Sequence, residues 1–255
     1  MNLISKSMST LSEQGSIEFN FSKERGWAFR AGEELTSLIG TPNREFFDSF
    51  SRLEQDRYAI LTGLNRQRRI GRFAVDVKIQ SVIPLSHRKF YQESKHNKLF
   101  GGLMRDFAPL EPEIAHSQYL QSLLLEDLAF LNAQVHKGEI WEAIVHQIRV
   151  IPQASEAALP APEGRHRDGH EYLVMHLIER HNITGGESYL YEGDDESEPL
   201  FVKTLTNPLD AIFVHDARLT HDVSPIRAEA PIHPAWRSML LIDFNLRPCV
   251  EVFHE

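Results

Sequence analysis

The chain has 255 residues, of which 42% are hydrophobic and 25% charged, and its formal net charge is −9. This length and composition indicate an ordinary globular protein with one large domain or two small ones. An acidic chain lacks the broad basic face of a general nucleic-acid-binding protein, so we expect no nucleic-acid partner, while a local basic pocket for a small anion is compatible with this charge.

The first residues, MNLISKSMSTLSEQGS, are polar and Ser-rich and contain no long apolar segment. They predict a flexible start over residues 1–15 and no secretory signal. No apolar run in the chain reaches the roughly 18–20 residues of a membrane-spanning helix. The only cysteine, Cys249, excludes an internal disulfide and fits a reducing compartment. We therefore expect a cytoplasmic protein with no membrane partner.

The chain up to residue 138 predicts two helices and a strand. The segment TPNREFFDSFSRLEQD (41–56) has phenylalanines at helical spacing after a Pro-Asn start. The segment GRFAVDVKIQSVIP (71–84) alternates apolar and polar residues, which is the period of a strand. The segment from 111 to 138 carries a leucine stripe, is preceded by prolines and ends at a glycine, and it predicts the longest helix.

After residue 138 the pattern changes to short segments rich in Val, Ile, Leu, Phe and Tyr, separated by turn residues. Seven or eight strands at this spacing predict an antiparallel sandwich or barrel. No helix-length segment separates them, which argues against a parallel sheet with crossover helices. We therefore expect a mainly β fold with flanking helices, as a single domain over residues 1–255 in which residues 16–138 pack on a core formed by residues 139–255.

A cluster of polar residues precedes one of these strands in the sequence GRHRDGHEYLVMHL (164–177). Residues i and i+2 of an extended chain point to the same side, so His166 and Asp168 can reach one point. One more histidine would complete a site of two histidines and one carboxylate, which leaves about three positions open and suits non-haem Fe(II). A structural zinc site with four protein ligands would leave none. His176, within the apolar run, is expected to be a hydrogen-bonded core residue.

The second histidine is expected from a later strand, and His215 and His221 are both candidates. The segment PLDAIFVHD resembles a strand that ends at a turn, and LTHDVSP resembles the strand that returns antiparallel to it. Such a return would bring His221 back towards Asp168. His221 is therefore the preferred ligand.

Arginines on the predicted strands raise the question of an anionic ligand. Arg237 lies near the start of the last long apolar strand, WRSMLLIDFNL. A guanidinium that faces into a barrel needs an anion, and its planar fork suits a carboxylate. A structural salt bridge is the alternative explanation. Arg149 and Gln147 lie two positions apart on one strand, share a face, and raise the same question.

Five segments, in their order along the chain, resemble the bacterial Fe(II)/2-oxoglutarate dioxygenases that hydroxylate free L-amino acids, such as L-isoleucine 4-hydroxylase. The segments are HQIRV, HRDGHEYLVMHLI, NITGGESYLY, PLDAIFVHDARLTHDVSPI and WRSMLLIDFNL. The likeness covers residues 140–247 and extends weakly over residues 90–112. The set of H-x-D, G-G-E, H-x-V-S-P and a late arginine is far more specific than any one of these motifs.

The resemblance implies a double-stranded β-helix, also called a jelly roll, with His166, Asp168 and His221 as the three iron ligands. It implies that Arg237 pairs with the distal carboxylate of 2-oxoglutarate. The cofactors implied are Fe(II), 2-oxoglutarate and O₂, with ascorbate as a support of activity. The implied reaction releases succinate and CO₂ and hydroxylates the amino acid.

The substrate of such an enzyme carries an α-carboxylate and an α-ammonium, so its pocket needs a cation and an acid or carbonyl. Aliphatic amino acids such as Ile, Leu or Met are expected by resemblance. Residues 169–171 and the acidic loop at 191–199 depart from the isoleucine enzyme and leave the substrate open. The candidate substrate residues are Arg149, Arg105, Arg68, Arg69 and Arg72 for the carboxylate, Glu171 for the ammonium, and His170 and Gln147 nearby.

Three other functions compete with this interpretation. A metal-binding cupin-type sensor would share the triad but would not need a buried Arg237. A 2-oxoglutarate oxygenase that acts on another small, a carrier-tethered or a protein substrate would share the whole site. A zinc hydrolase is disfavoured, because the chain has no H-E-x-x-H motif. The sequence leaves the oligomeric state open.

Overall fold

A computed structural model of the chain describes residues 21–60, 63–153, 156–193 and 198–254, so the predicted flexible start lies outside the described residues. The helices are α1 (Gly32–Ile39), α2 (Arg44–Asp48), α3 (Arg57–Ile60), α4 (Pro112–Ala115), α5 (Gln118–Phe130) and α6 (Cys249–His254), with a 3-10 turn at Ser49–Ser51. The strands are β1 (Trp27–Arg30), β2 (Glu54–Gln55), β3 (Arg66–Asp76), β4 (Ser81–Pro84), β5 (Ala108–Pro109), β6 (Glu139–Val150), β7 (Tyr172–His181), β8 (Ile183–Gly185), β9 (Glu187–Glu192), β10 (Phe201–Thr204), β11 (Ala211–Val214), β12 (Leu219–Val223), β13 (Ile226–Ala228) and β14 (Trp236–Pro248). None of the helices in these described ranges is both long enough and apolar enough to cross a membrane.

A large sheet of nine strands dominates the fold. Its order is β1-β11-β7-β14-β6-β3-β2, with β4 and β5 also paired to β3. The long central strands β6 and β14 pair antiparallel along their whole shared length. Two small sheets, β10-β9-β12 and β13-β8, complete the β structure. The expected mainly β architecture is confirmed.

The two faces of the large sheet bury different partners because successive side chains of a strand point to opposite sides. On β7, Leu173, Met175 and Leu177 pack against the small sheet β10-β9-β12. The intervening Val174 and Ile178 pack against α5 and the other helices. The cavity described below opens on the first of these faces, which we call the inner face. The helices cover the second, which we call the outer face.

The short apolar segments after residue 138 contain seven strands, which are β6, β7, β9, β10, β11, β12 and β14. Strands β8 and β13 are additional. These two have three residues each, too few to leave an alternating pattern. The expected antiparallel return from β11 to β12 is wrong. β11 lies in the large sheet and β12 pairs with β9, so the turn at 215–218 carries the chain from one sheet to the other.

Three elements upstream differ from their predictions in length. The predicted helix at 41–56 shortens to α2 and the following 3-10 turn. The predicted helix at 111–138 divides into α4 and α5, because the Ser117 side chain accepts the backbone N–H of Leu120 and starts a new helix. The predicted strand at 71–84 is a hairpin of β3 and β4, in which the Asp76 side chain accepts the N–H of Lys78 at the turn.

The upstream residues extend the large sheet. β3 pairs antiparallel with β6 from Arg66, opposite Val150, to Val75, opposite Trp141. The alternating residues of β3 therefore join the same inner and outer faces as those of β6 and β14. This pairing brings the arginine-rich start of β3 beside the residues that follow position 138.

Candidate active site

His166, Asp168 and His221 lie together although a loop and a distant strand carry them. The chain at His166 pairs with β12 at a single bridge, where His166 and His221 exchange backbone hydrogen bonds of 3.1 and 2.9 Å. Asp168 Oδ1 lies 3.6 Å from His166 Nε2, and Asp168 Oδ2 lies 3.5 Å from His221 Nε2. One ligand atom from each residue lies within 4.8 Å of the others. Two imidazoles and one carboxylate suit a divalent metal ion with open coordination positions.

The histidines are held with one ring nitrogen towards this point. His166 Nδ1 lies 2.7 Å from the carbonyl oxygen of Gly164, which can only accept, so Nδ1 carries a proton and Nε2 is the ring nitrogen that faces Asp168. His221 Nδ1 faces Asp216 Oδ1 at 3.7 Å. Burial lowers the pKa of His221 to about 4, with the neighbouring His166 as the second cause. His221 is therefore neutral at pH 7, as a metal ligand must be.

The ionisation of Asp168 follows from its two histidine neighbours. Burial opposes the charge, but His166 and His221 hold the pKa of Asp168 well below its usual range. Burial also lowers the pKa of His166, but Asp168 outweighs it and raises the value to about 9. Asp168 is thus a carboxylate at neutral pH, which is the form that binds a metal.

Asp216 shapes the loop that carries Asp168. Its carboxylate is fully buried and accepts the backbone N–H groups of Asp168 at 3.0 Å, Gly169 at 2.7 Å and His170 at 3.0 Å. Gly169 has φ +89°, and a Cβ there would lie 2.7 Å from His96 Cδ2. From the opposite side, Gln92 Nε2 donates to Asp168 Oδ1 at 3.0 Å. Asp216 therefore fixes the backbone of the loop, and Gln92 fixes the carboxylate of Asp168.

A cavity lies in front of the triad, and its floor is the inner face of β3, β6 and β14. Alternate residues of these strands reach it, as the strand period requires. Residues of β7, β9 and β12 and of the loops close the remaining sides. The floor residues are Arg66 and Arg68 of β3, His146, Ile148 and Val150 of β6, and Arg237, Met239, Leu241 and Asp243 of β14.

Arg237 carries a buried charge that lacks a counterion. Its side chain is 6% exposed, and no carboxylate among the described residues lies within ion-pair distance of its guanidinium. Nε of Arg237 is buried without a hydrogen-bond partner. Burial, followed by the charge of Arg180, lowers the pKa of Arg237 to about 10, so it stays protonated at pH 7. Such a group needs an anionic ligand.

The turn Gly185-Gly186-Glu187, which is the G-G-E motif, leaves space for the Arg237 side chain. Gly186 has φ +73°, and a Cβ there would lie 3.2 Å from Arg237 Nε. At Gly185, a Cβ would lie 2.0 Å from the carbonyl oxygen of Pro225. The two glycines therefore allow β8 to approach β13 and let the Arg237 side chain pass.

A second group of arginines, Arg66, Arg68 and Arg105, lines the cavity on the side of β3. Only Arg66 is ion-paired, with Asp56 Oδ2 at 2.8 Å. Arg68 stacks on Phe107 with its Cζ 4.4 Å from the ring centre, and Arg105 Nη2 donates to Gln92 Oε1. Burial, then Arg66 and Arg105, lower the pKa of Arg68 to about 9. No described carboxylate pairs with Arg68 or Arg105, so this side of the cavity also favours an anion.

Asp243 lies on the cavity floor and is linked to Arg68 through one imidazole. Arg68 Nη2 lies 2.8 Å from His146 Nδ1, and His146 Nε2 lies 3.0 Å from Asp243 Oδ2. His170 approaches the same oxygen at 3.4 Å. Burial and the charges of Asp168 and Asp216 raise the pKa of Asp243 well above its usual range.

Three of the predicted substrate residues lie away from the cavity. Arg149 pairs with Glu179 at 3.2 Å and with Ser238 on the outer face, and Gln147 donates to Ser49 Oγ on the same face. Glu171 precedes β7, is half-buried, and bonds through its backbone to Phe244 and Asp216. Gln147 and Arg149 do share a face, as predicted, but it is the one that the helices cover.

Of the remaining predicted residues, some lie at the cavity and others point away from it. Arg105 and Arg68 line the cavity, and His170 lies behind Asp243. Arg69 and Arg72 point elsewhere, where Arg69 reaches the Pro109 carbonyl and Arg72 pairs with Glu142. His215 packs on Tyr172 at the end of β11, away from the triad. His176 is fully buried and bonded to Asp127 at 2.9 Å, so its prediction as a core residue is confirmed.

Several residues of the site were missed in the sequence, among them Gln92, His146, Asp216 and Asp243. Asp243 lies six positions after Arg237, on the same face of one strand, and this spacing was a usable signal. His146 precedes Arg149 by an odd number of residues and therefore faces the other way. Gln92 and Asp216 lie in irregular segments, which have no period to read.

Comparison with known proteins identifies relatives of this chain. The family model of the 2OG-Fe dioxygenases matches residues 47–243. The chain is 26% identical over 230 residues to the 3(1)-hydroxy-L-isoleucine 4-dioxygenase of Pantoea ananatis, an alignment that covers 87% of this chain and 92% of that protein. Both matches include all three triad residues within their span.

Solved structures agree on the fold. A bsmA homologue from Methylobium petroleophilum superposes with a TM-score of 0.75 at 25% identity, covering 88% of this chain and 89% of its own. The structure of IDO from Bacillus thuringiensis has a TM-score of 0.70 at 19% identity and covers 88% of this chain and 96% of its own. The predicted jelly-roll fold is confirmed.

Proposed function

Because the chain belongs to the 2OG-Fe dioxygenase family, we propose that this Fe(II)/2-oxoglutarate-dependent dioxygenase hydroxylates the side chain of a free L-amino acid. The proposed substrates are aliphatic amino acids of the Ile, Leu or Met type. When bound, Fe(II) and 2-oxoglutarate supply the oxidation, in which O₂ and 2-oxoglutarate yield succinate and CO₂ and one oxygen atom enters the substrate. The name of the Pantoea ananatis relative, a dioxygenase of a hydroxylated L-isoleucine, supports this substrate class.

The proposed iron ligands are His166, Asp168 and His221. Their donor atoms converge, and Asp168 and His221 have the protonation that a metal requires. The carbonyl of Gly164 orients the His166 ring, and Asp216 orients the Asp168 loop. These contacts keep the ligand set in place before a metal arrives.

The proposed role of Arg237 is to bind the distal carboxylate of 2-oxoglutarate. Its guanidinium is buried, charged and without a counterion among the described residues, and its fork matches a carboxylate. Met239 and Leu241 follow it on the cavity floor and keep water from this end of the cavity. A water-poor surrounding strengthens the ion pair.

The proposed role of Arg68 and Arg105 is to bind the α-carboxylate of the amino acid. They line the cavity from β3 and the segment before β5, separated from Arg237 by strand β6. The apolar floor residues Ile148 and Val150 offer contacts for an aliphatic side chain. Binding the carboxylate at a fixed point selects which C–H bond approaches the metal.

One observation carries the proposal: the cavity in front of the triad has arginines without carboxylate partners at two separate places, Arg237 on β14 and the pair Arg68 and Arg105 beside β3. A single anionic cosubstrate satisfies only one of them. A metal-binding sensor with a single ligand needs no second group, and a neutral substrate leaves the charges of Arg68 and Arg105 unpaired.

The test is succinate formation by purified protein loaded with Fe(II) without oxygen and then given 2-oxoglutarate, ascorbate and O₂. The twenty amino acids are tested one at a time, with mass spectrometry for a product heavier by one oxygen atom. Succinate coupled to such a product supports the proposal. Uncoupled succinate without a product shifts the substrate to another small or carrier-tethered molecule. No succinate from iron-loaded protein contradicts the proposal.

A further inference from the structure

Asp243 lies on the cavity floor and has one carboxylate oxygen that the contacts between the described residues leave unused. Its side chain is 2% exposed and forms part of the cavity floor. Oδ2 is bonded to His146, whereas Oδ1 is buried and has no hydrogen-bond partner. A buried carboxylate oxygen without a donor is costly, so this atom calls for a ligand that donates.

The bonds around Asp243 fix its direction. A guanidinium can only donate, so His146 Nδ1 must accept from Arg68 and the ring proton lies on Nε2. His146 Nε2 therefore donates to Asp243 Oδ2. This bond fixes Oδ2, and His170 Nε2 lies 3.4 Å from the same oxygen without forming a hydrogen bond. Oδ1 is the acceptor that remains.

We propose that Asp243 binds the α-ammonium group of the amino acid whose carboxylate lies at Arg68 and Arg105. This inference rests on the proposed function and assigns its ammonium site. One imidazole links the cation of Arg68 to the acid of Asp243, so the two groups lie close enough together to suit a ligand whose anion and cation are attached to one carbon atom. An α-amino acid is such a ligand, and it satisfies both groups at once.

The role needs the ionised form of Asp243, whose pKa is raised first by burial and then by the charge of Asp168. A cation held by Asp168 would offset this second cause. An ammonium group beside Asp243 would favour the charged form further. Asp243 thereby distinguishes a free amino acid from its 2-hydroxy acid and from an N-acylated derivative, neither of which has a cationic nitrogen.

Glu163 is the rival acceptor. Its Oε2 is also buried without a partner, and its Oε1 lies 3.7 Å from His166 Nε2. Its bonds tie it to Asn97, not to Arg68, so it lacks the fixed relation to a carboxylate-binding arginine that Asp243 has. The experiment therefore includes both residues.

The test compares Asp243→Asn with the wild type on two probes that differ at one atom. The probes are the amino acid with the highest turnover in the panel, with L-isoleucine as the first choice, and its 2-hydroxy acid. The ratio of kcat/KM for the amino acid to that for the hydroxy acid is expected to fall about 10- to 100-fold, mainly through KM. Calorimetric titration of both probes without oxygen, with Fe(II) and 2-oxoglutarate present, should show the same selective loss.

Two variants separate recognition from folding. Asp127→Asn removes a carboxylate of a buried Asp–His pair on the outer face, with the same type of bond at 2.9 Å, and should leave the ratio unchanged. Damage that only displaces Arg68 would weaken both probes equally. An equal loss on both probes, an unchanged ratio, or a selective loss in Glu163→Gln but not in Asp243→Asn overturns the role of Asp243. A wild type that forms no succinate with any amino acid overturns the proposed function itself.

Discussion

The carboxylate of Asp216 accepts the backbone N–H of Asp168 at 3.0 Å, although 48 positions separate the two residues. The same carboxylate accepts the next two N–H groups of the loop. A residue from the turn between the two sheets thus sets the position of a proposed metal ligand. The contact links the closure of the fold to the geometry of the metal site.

Asp216→Ala should weaken metal binding about 10- to 100-fold, because three loop N–H groups lose their acceptor and Asp168 loses its position. Asp216→Asn keeps one acceptor oxygen and should lose less. The measurement is calorimetric titration with Co(II), with circular dichroism to establish that both variants fold. Equal affinity in all three proteins would show that the loop holds its shape without Asp216.

Asp168→Ala or His221→Ala should abolish turnover and most metal binding, because each removes a ligand from a three-residue site. The matched control is His215→Ala, which removes the competing histidine of the sequence. His215 lies beside Tyr172 and away from the triad, so this variant should bind Co(II) as the wild type does. Near-full activity in His221→Ala would refute the ligand set.

Arg237→Ala should raise the KM for 2-oxoglutarate about 100-fold or more, because it removes one partner of a buried charge pair. Arg237→Lys keeps the charge but not the planar fork, so its KM for 2-oxoglutarate should lie between those of the wild type and Arg237→Ala. Arg149→Ala serves as the control, since Arg149 is bound to Glu179 on the outer face and should leave this KM unchanged. The opposite pattern would transfer the role to Arg149.

Asp56 should make stability depend on pH. Burial opposes its charge, but Arg66 and Arg68 lower the pKa of Asp56 below its ordinary value. A lowered folded pKa contributes stability above the unfolded value near 4, and this contribution is lost as pH falls through the folded value. Asp56→Asn should therefore lower the free energy of unfolding by about 3 kcal/mol at pH 7.

The difference in unfolding free energy between the wild type and Asp56→Asn should shrink steadily below about pH 4, because protonation removes the same charge from the wild type. Urea unfolding of both proteins at several pH values measures it. A deficit that stays constant down to pH 2 would mean that the charge of Asp56 contributes nothing and that only its bonds to the start of α3 matter.

Local patterns explain which parts of the fold were predictable. Strands β6, β7 and β14 are ten or more residues long and rich in large apolar residues, so their existence could be read directly. H-x-D could be read because both ligands lie within three positions. The boundaries of α4 and α5 could not, because one serine side chain decides where the second helix starts.

The two candidates Arg68 and Arg149 for the substrate carboxylate illustrate what the sequence does not predict. Alternation shows that Gln147 and Arg149 share a face, but it does not show which face turns towards the cavity. That is decided by the partners, since the outer face of β6 contacts the turn at Ser49, whereas its inner face packs against β8 and β13 and lines the cavity. Contacts between residues this far apart leave no trace in a local window of sequence.

Because β3 pairs with β6, the proposed residues for the metal and cosubstrate and those for the substrate carboxylate come from two different parts of the chain. The metal ligands and Arg237 come from residues 166–237, whereas Arg68 and Arg105 come from the edge that β3 adds. Under the proposed assignment, exchanges of Arg68 and Arg105 alter which molecule is oxidised and leave the metal ligands in place. Chimeras joined between β5 and β6 that retain Gln92, whose amide donates to Asp168, would thus be a route to new substrate specificities with the same metal ligands.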